Sequence, residues 1–238
     1  MTSQVLMLGQ IEAEVVLKDI KHVHLSVYPP SGRVRIAAPE NMSIDSVRAY
    51  AATRLDWIKK QQQRILRQER ETARDYVSGE SHYLWGVRYR LQLEDGHPRS
   101  IAMRSRKIIL RAPLGSSRES REEVMEDWLR TEIRRVVNEL LPTWELAIGV
   151  SVDDVIVRRM KTKWGSATPA AHRIRLNTEL AKKPRTCLEY ILVHELVHLI
   201  VPNHGQEFVA LMDKHLPDWR ERRELLNSLP VRHENWMW

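Results

Sequence analysis

The stretch from Tyr190 to Gly205 restricts the fold more than any other part of the chain. From Tyr190 to Val201 nearly every residue is apolar, yet His194, Glu195 and His198 stand within it. The run is shorter than the roughly 18 apolar residues a membrane span needs. It reads instead as a helix buried by the rest of the chain, so other elements must pack around it. Residues four apart share a helix face, so the His194 and His198 imidazoles point the same way and can bind one metal ion. Glu195 lies about 100° round from His194, beside such an ion, where a bound water would sit.

A third ligand must come from beyond the helix. In a continued helix His204 would face about 240° away from His198. Pro202 lacks an N–H and clashes with the preceding turn, and Asn203 and Gly205 suit a chain reversal. His204 can thereby return towards the ion. Glu207 is the rival, although it falls about a turn inside the next helix. Three His ligands with a fourth position open make a catalytic rather than a structural zinc site.

Composition narrows the alternatives. The single Cys187 cannot form an internal disulfide, and there is no Cys cluster for a zinc finger or an iron–sulfur centre, while ten His are present. Cys187 lies seven residues before His194 and reads as a buried, inert thiol. The first 20 residues carry Glu12 and Glu14 and no basic export segment, so a cytoplasmic protein without membrane spans is expected. Lys and Arg number 38 against 31 Asp and Glu, a net charge of +7. That sign suits acidic partners, and nucleic acid is a possible one through the basic surface. Oligomeric state has no signature in the sequence.

The chain has 238 residues, room for one domain or two closely joined subdomains at about 150 residues each. Strands are expected at 23–27 and 34–38, with Pro29-Pro30-Ser31-Gly32 as turn residues. A helix follows, capped by Ser43 and running to Leu66, with Arg54, Lys59, Lys60, Arg64, Arg67 and Arg70 on its outer face. Residues 83–93 and 101–110 alternate as two further strands. A helix over 118–147 contains Pro142, a kink or break. Beyond it come a strand at 152–157, the Lys161–Ser166 segment, a strand at 173–176 and helices over 186–200, 205–215 and 217–229. No internal repeat is evident. Strands precede helices, which predicts an α+β fold: a strand-rich subdomain with one long basic helix over 1–117, then a helical catalytic subdomain with a small antiparallel sheet over 118–238.

Trp164-Gly165-Ser166 has two readings. It can end a strand whose free edge takes an extended peptide, which makes all three candidate substrate contacts. Alternatively Trp164 anchors the core and Gly165 makes a turn. Phe208, the one Phe of the chain, is expected to buttress the histidines. Arg158, Arg159, Lys161 and Lys163 either steer an acidic substrate or keep an exposed edge soluble.

Over nearly its whole length the sequence resembles the YgjP-like metallopeptidases, relatives of the SprT-like zinc proteases. The resemblance rests on Lys163-Trp164-Gly165-Ser166, Ile174-Arg175-Leu176-Asn177, His194 to His198, Asn203-His204-Gly205, Phe208 and Pro217-Asp218-Trp219. It implies a zincin-type domain with one zinc ion per chain held by His194, His198 and His204. Ala167 and Val209 stand where the family often has Cys and Trp. The resemblance and the motif together predict a zinc-dependent peptidase acting on proteins or peptides, with Glu195 as its catalytic residue. His172, His215, His233 and Tyr190 are open candidates for stabilising the oxyanion. Two other readings compete: a nucleic-acid-associated protease gated by DNA, and a non-catalytic, zinc-stabilised binding module.

Overall fold

The computed structural model describes residues 3–28, 31–67, 71–161 and 163–230. Pro29, Pro30, Arg70, Thr162 and His233 lie outside them, as does the Arg64 side chain. The fold is α+β, as the sequence predicts, and forms two compact units, Met1–Ala73 and Arg74–Leu229. The expected boundary at 117/118 thus falls inside the second unit. The cause is a shared core. Leu84, Leu91, Ile108 and Leu110 from the second strand block pack in one cluster with Met125, Leu129, Ile133, Leu188 and Leu192.

In the first unit, strands β1 (Ser3–Leu8), β2 (Ile11–Lys18), β3 (His24–Tyr28) and β4 (Arg33–Pro39) form a sheet of order β1-β2-β4-β3. Pairs β1–β2 and β3–β4 are antiparallel and β2–β4 is parallel. The alternating apolar residues Val34, Ile36 and Ala38 are fully buried against Val47, Ala51 and Ile58. The helix expected from Ser43 to Leu66 is two helices, α1 (Ile44–Ala52) and α2 (Leu55–Arg67). At the break the Thr53 hydroxyl donates to the Tyr50 carbonyl at 2.7 Å, and the Arg54 N–H turns tightly to the Ala51 carbonyl.

The second unit opens with the same topology. Strands β5 (Ser81–Leu84), β6 (Val87–Asp95), β7 (Ser100–Arg104) and β8 (Lys107–Ala112) form a sheet of order β5-β6-β8-β7, again antiparallel, parallel and antiparallel. Each of the two long strands read from sequence is therefore broken by a tight turn. Trp85 and Gly86 take φ of 52° and 79°, and Ser105 takes 52°, the left-handed conformations that reverse a hairpin. The repetition continues into the helices. Ala38-Pro39 and Ala112-Pro113 end the last strands, and Ser43 and Ser117 then cap α1 and the helix that begins at Arg118 by accepting from Ser46 N–H and Ser120 N–H at 3.2 Å. A structural repeat is thus present where the sequence pattern revealed none.

Helix α3 (Arg118–Ile148) continues unbroken past Pro142 and stops at Gly149, whose φ of 81° makes a left-handed cap. The small sheet has order β10-β11-β9, built from β9 (Asp154–Arg158), β10 (Gly165–Thr168) and β11 (Arg173–Asn177). The antiparallel pairing expected there is that of β10 with β11, and β9 runs parallel to β11. Helices α4 (Arg185–Val197), α5 (Gln206–His215) and α6 (Trp219–Ser228) complete the unit. α4 is largely buried from Cys187 onward and packs against α3, α5, α6, β10 and β11. Each of its fully buried Leu and Val side chains contributes about 1.5–3 kcal/mol relative to exposure. No described helix is long and apolar enough to cross a membrane.

Candidate metal centre

The site is assembled on α4 and the turn after it. His194 lies in the last turn of α4, and His198 is its C-cap with φ −67° and ψ −15°, still helical, so the four-residue spacing keeps both rings on one face. The helix ends there, and after Pro202 the chain reverses so that His204 meets them. The three Nε2 atoms lie 3.2, 3.1 and 3.1 Å from one another. Zinc–nitrogen bonds of about 2.0–2.1 Å in a tetrahedron need nitrogens about 3.3 Å apart, so the set fits such an ion. Among the described residues these three form the group able to hold a metal, and Glu207 is not part of it.

Two features prepare the rings for that role. The His198 Nδ1–H donates to the Val201 carbonyl at 3.0 Å, which selects the tautomer that has its lone pair on Nε2 whenever the ring is neutral. Burial first, then the neighbouring His198 and His204, push the His194 pKa down to about 3, so that ring is neutral at physiological pH. His204 is lowered too, chiefly by burial. His194 Nδ1 is buried without a hydrogen-bond partner. Phe208, 2% exposed, lies 4.6–4.9 Å from all three imidazole centroids and buttresses them, as expected.

Glu195 is 5% exposed, one helix position from His194. Burial raises its pKa to about 7, against the opposing pull of Lys163 and a hydrogen bond from the Ala167 backbone. A carboxyl poised there can take up and release protons near neutrality. The Trp164–Ser166 segment comes to the same place. Trp164 is half-buried against the core, while Gly165 is no turn residue: it begins β10 at ordinary φ. An added Cβ at Gly165 would stand 2.6 Å from Glu195 Oε1 and 2.8 Å from its Cγ. β10 is an outer strand of its sheet.

The oxyanion candidates now separate. Tyr190 meets His194 edge-on at 5.8 Å, whereas His172 caps the turn before β11 and lies within 3.2 Å of the Ser151 carbonyl. His215 ends α5. Trp219 stacks on Tyr190 at 6.4 Å, and Arg222 pins α6 in place by pairing with Glu189 and Asp218. The charge of Arg223 on α6 bears on His194, His204 and Tyr190, a proximity no local sequence pattern signals. Of the basic run, Arg159 is paired with Glu126 at 2.8 Å and Glu122 at 3.5 Å. Cys187 is buried and free, its thiol pushed up to about 11 by burial, which makes it inert at neutral pH.

Three converging imidazoles beside a buried carboxylate are the arrangement of a metallohydrolase. Residues 21–229 match the YgjP-like metallopeptidase domain. The chain belongs to the YgjP-like family and is a metallopeptidase. Two solved structures resemble part of it. The metallopeptidase zymogen abylysin of Pyrococcus abyssi is 21% identical at a TM-score of 0.36, over 40% of this chain and 98% of its own. The zymogen jannalysin of Methanocaldococcus jannaschii is 26% identical at a TM-score of 0.33, over 40% and 92%. No curated protein matches the chain.

Proposed function

We propose that the protein is a zinc-dependent peptidase in which His194, His198 and His204 hold one ion and Glu195 is the catalytic acid–base. The convergence of the three Nε2 atoms beside a buried carboxyl carries this reading. Zinc bound there would supply an activated water at neutral pH and polarise the scissile carbonyl. Glu195 takes the proton from the attacking water and passes it to the leaving amine nitrogen. Tyr190, beside His194, is the candidate to donate to the carbonyl oxygen. An extended peptide adds to the outer edge of β10, where Trp164 and Ser166 flank it, an alignment main-chain hydrogen bonds can hold. A non-catalytic module fits poorly, because a structural site has no use for a buried, unligated Glu beside it.

The test is a pair of substitutions. Glu195→Ala keeps one zinc per chain and loses hydrolysis of a denatured protein substrate, whereas His194→Ala loses the metal. A wild-type chain that binds no zinc, or an active Glu195→Ala, would refute the assignment.

A second reading adds nucleic acid as a recruiter of substrate. It is favoured by α2 and the turn before it, where Arg54, Lys59, Lys60 and Arg67 are exposed together with Trp57 at 43%. Salt-dependent retardation of DNA, with a slope that flattens when these cations are replaced, supports it. No binding at low salt removes it.

A further inference from the structure

Glu195 is held from two directions, and only one of them is its own helix. The other is the backbone of β10. At Gly165 an added Cβ would meet Glu195 Oε1 at 2.6 Å, Glu195 Cγ at 2.8 Å and Ile191 Cγ2 at 2.9 Å. None of these is a contact a real Cβ makes, and Gly165 does not need glycine for its φ, so what the position requires is the absence of a side chain. Two residues on, the Ala167 backbone hydrogen-bonds the same carboxyl. The strand thus forms a wall and a donor for a single side chain.

What holds the strand there is Asn177. It is 5% exposed, and its amide uses its full hydrogen-bonding capacity. Nδ2 donates to the carbonyls of Met160 and Lys163, each at 2.8 Å. Oδ1 accepts from the N–H groups of Met160 at 3.3 Å and Glu179 at 3.1 Å. Its own backbone N–H donates to the Trp164 carbonyl at 2.9 Å. The residues entering β10 are therefore tied to the end of β11 immediately before Gly165.

We propose that Gly165 and Asn177 are positioning residues for Glu195: Asn177 fixes the entry of β10, and the bare Cα at Gly165 lets the strand close on the carboxyl and hold it at one place. This rests on Glu195 being the acid–base. A displacement of about 1 Å in a catalytic group can cost on the order of 100-fold in rate. A methyl group at position 165 forces a displacement of that kind.

The experiment uses the full chain loaded with zinc, and fluorescently labelled, denatured casein as substrate. Gly165→Ala keeps one zinc per chain, and kcat falls about 100-fold while KM changes far less. Asn177→Asp, which leaves two carbonyls without their donor, lowers kcat in the same way with zinc and KM unchanged. It also serves as the second variant should Gly165→Ala fail to fold. Melting temperatures are measured in parallel for Gly165→Ala, Glu195→Ala and the double variant. The loss caused by Gly165→Ala shrinks when Glu195 is absent, leaving the share due to Ile191, so the two changes are not additive. Wild-type kcat in Gly165→Ala, or additive melting shifts, overturns the proposal. If the wild-type chain leaves casein intact, the peptidase reading fails on that substrate, and the melting cycle still decides whether Glu195 is what Gly165 accommodates.

Discussion

The sheets β1–β4 and β5–β8 follow one path and differ in what their turns touch. In the first unit the β1–β2 turn is bare, with open space around Gly9, and the β3–β4 turn is the anchored one: Gln62 of α2 donates to the Gly32 carbonyl at 2.9 Å. In the second unit the β5–β6 turn is docked. The N–H groups of Trp85 and Gly86 donate to the carbonyls of Ala181 and Lys182, and Gly86 lies against Pro184, the residue that opens α4. The same supersecondary path thus closes a core of its own in one unit. In the other it supports the helix that carries the histidines. Topology is shared, and chemistry follows from what the strands are packed against.

The largest effect is expected at the site. Glu195→Ala should cost about 10²- to 10⁴-fold in hydrolysis at unchanged zinc content, the range general acid–base groups supply. Next come matched core truncations. Ile36→Ala in the first unit and Leu192→Ala in the second each remove a fully buried side chain and should destabilise by about 2–5 kcal/mol. Denaturation followed with zinc retention should find metal loss only for Leu192→Ala. Equal loss in both variants would show that the two cores are not independent in function.

Acid should act on the second unit through His82. Burial lowers its pKa from 6.5, against a hydrogen bond to Glu80, so the folded state binds fewer protons than the unfolded one. The neutral ring's contribution is intact above pH 6.5 and lost as the pH falls from there through the folded value. Melting temperatures between pH 8 and 5 should show the wild type losing stability in this window and His82→Gln losing less. The smallest effects are at the paired caps. Ser43→Ala and Ser117→Ala should each cost about 1 kcal/mol, and equal losses in urea denaturation would confirm that the repeat extends to its helix starts.

The histidines were legible because their information is local. Spacing along a helix, a proline that ends it and a turn that reverses it are all written within Tyr190–Gly205. The Ser43 cap was as readable, because it acts on Ser46 N–H only three residues away. The β3–β4 hairpin was read from its turn residues, but the β5–β6 and β7–β8 hairpins were missed for a different reason. In residues 83–93 the apolar alternation runs on across Trp85-Gly86, so nothing in the period marks the reversal that positive φ imposes. The domain boundary was misplaced because helices and strands that share a core leave no break in composition.

Spacing along the chain places two imidazoles and a neighbouring carboxylate on one buried helix and leaves His204 and Glu207 as the third ligand's candidates. The choice of His204 and the way the carboxylate is held both come from packing. Gly165 lies 30 positions from Glu195, and Asn177 lies between them, 12 from Gly165 and 18 from Glu195, separations across which side-chain periodicity carries no information. Their meeting depends on an outer strand closing on a helix until there is no room for a Cβ between them. Such a contact is a property of packing, and a sequence records it only as a glycine that no turn requires.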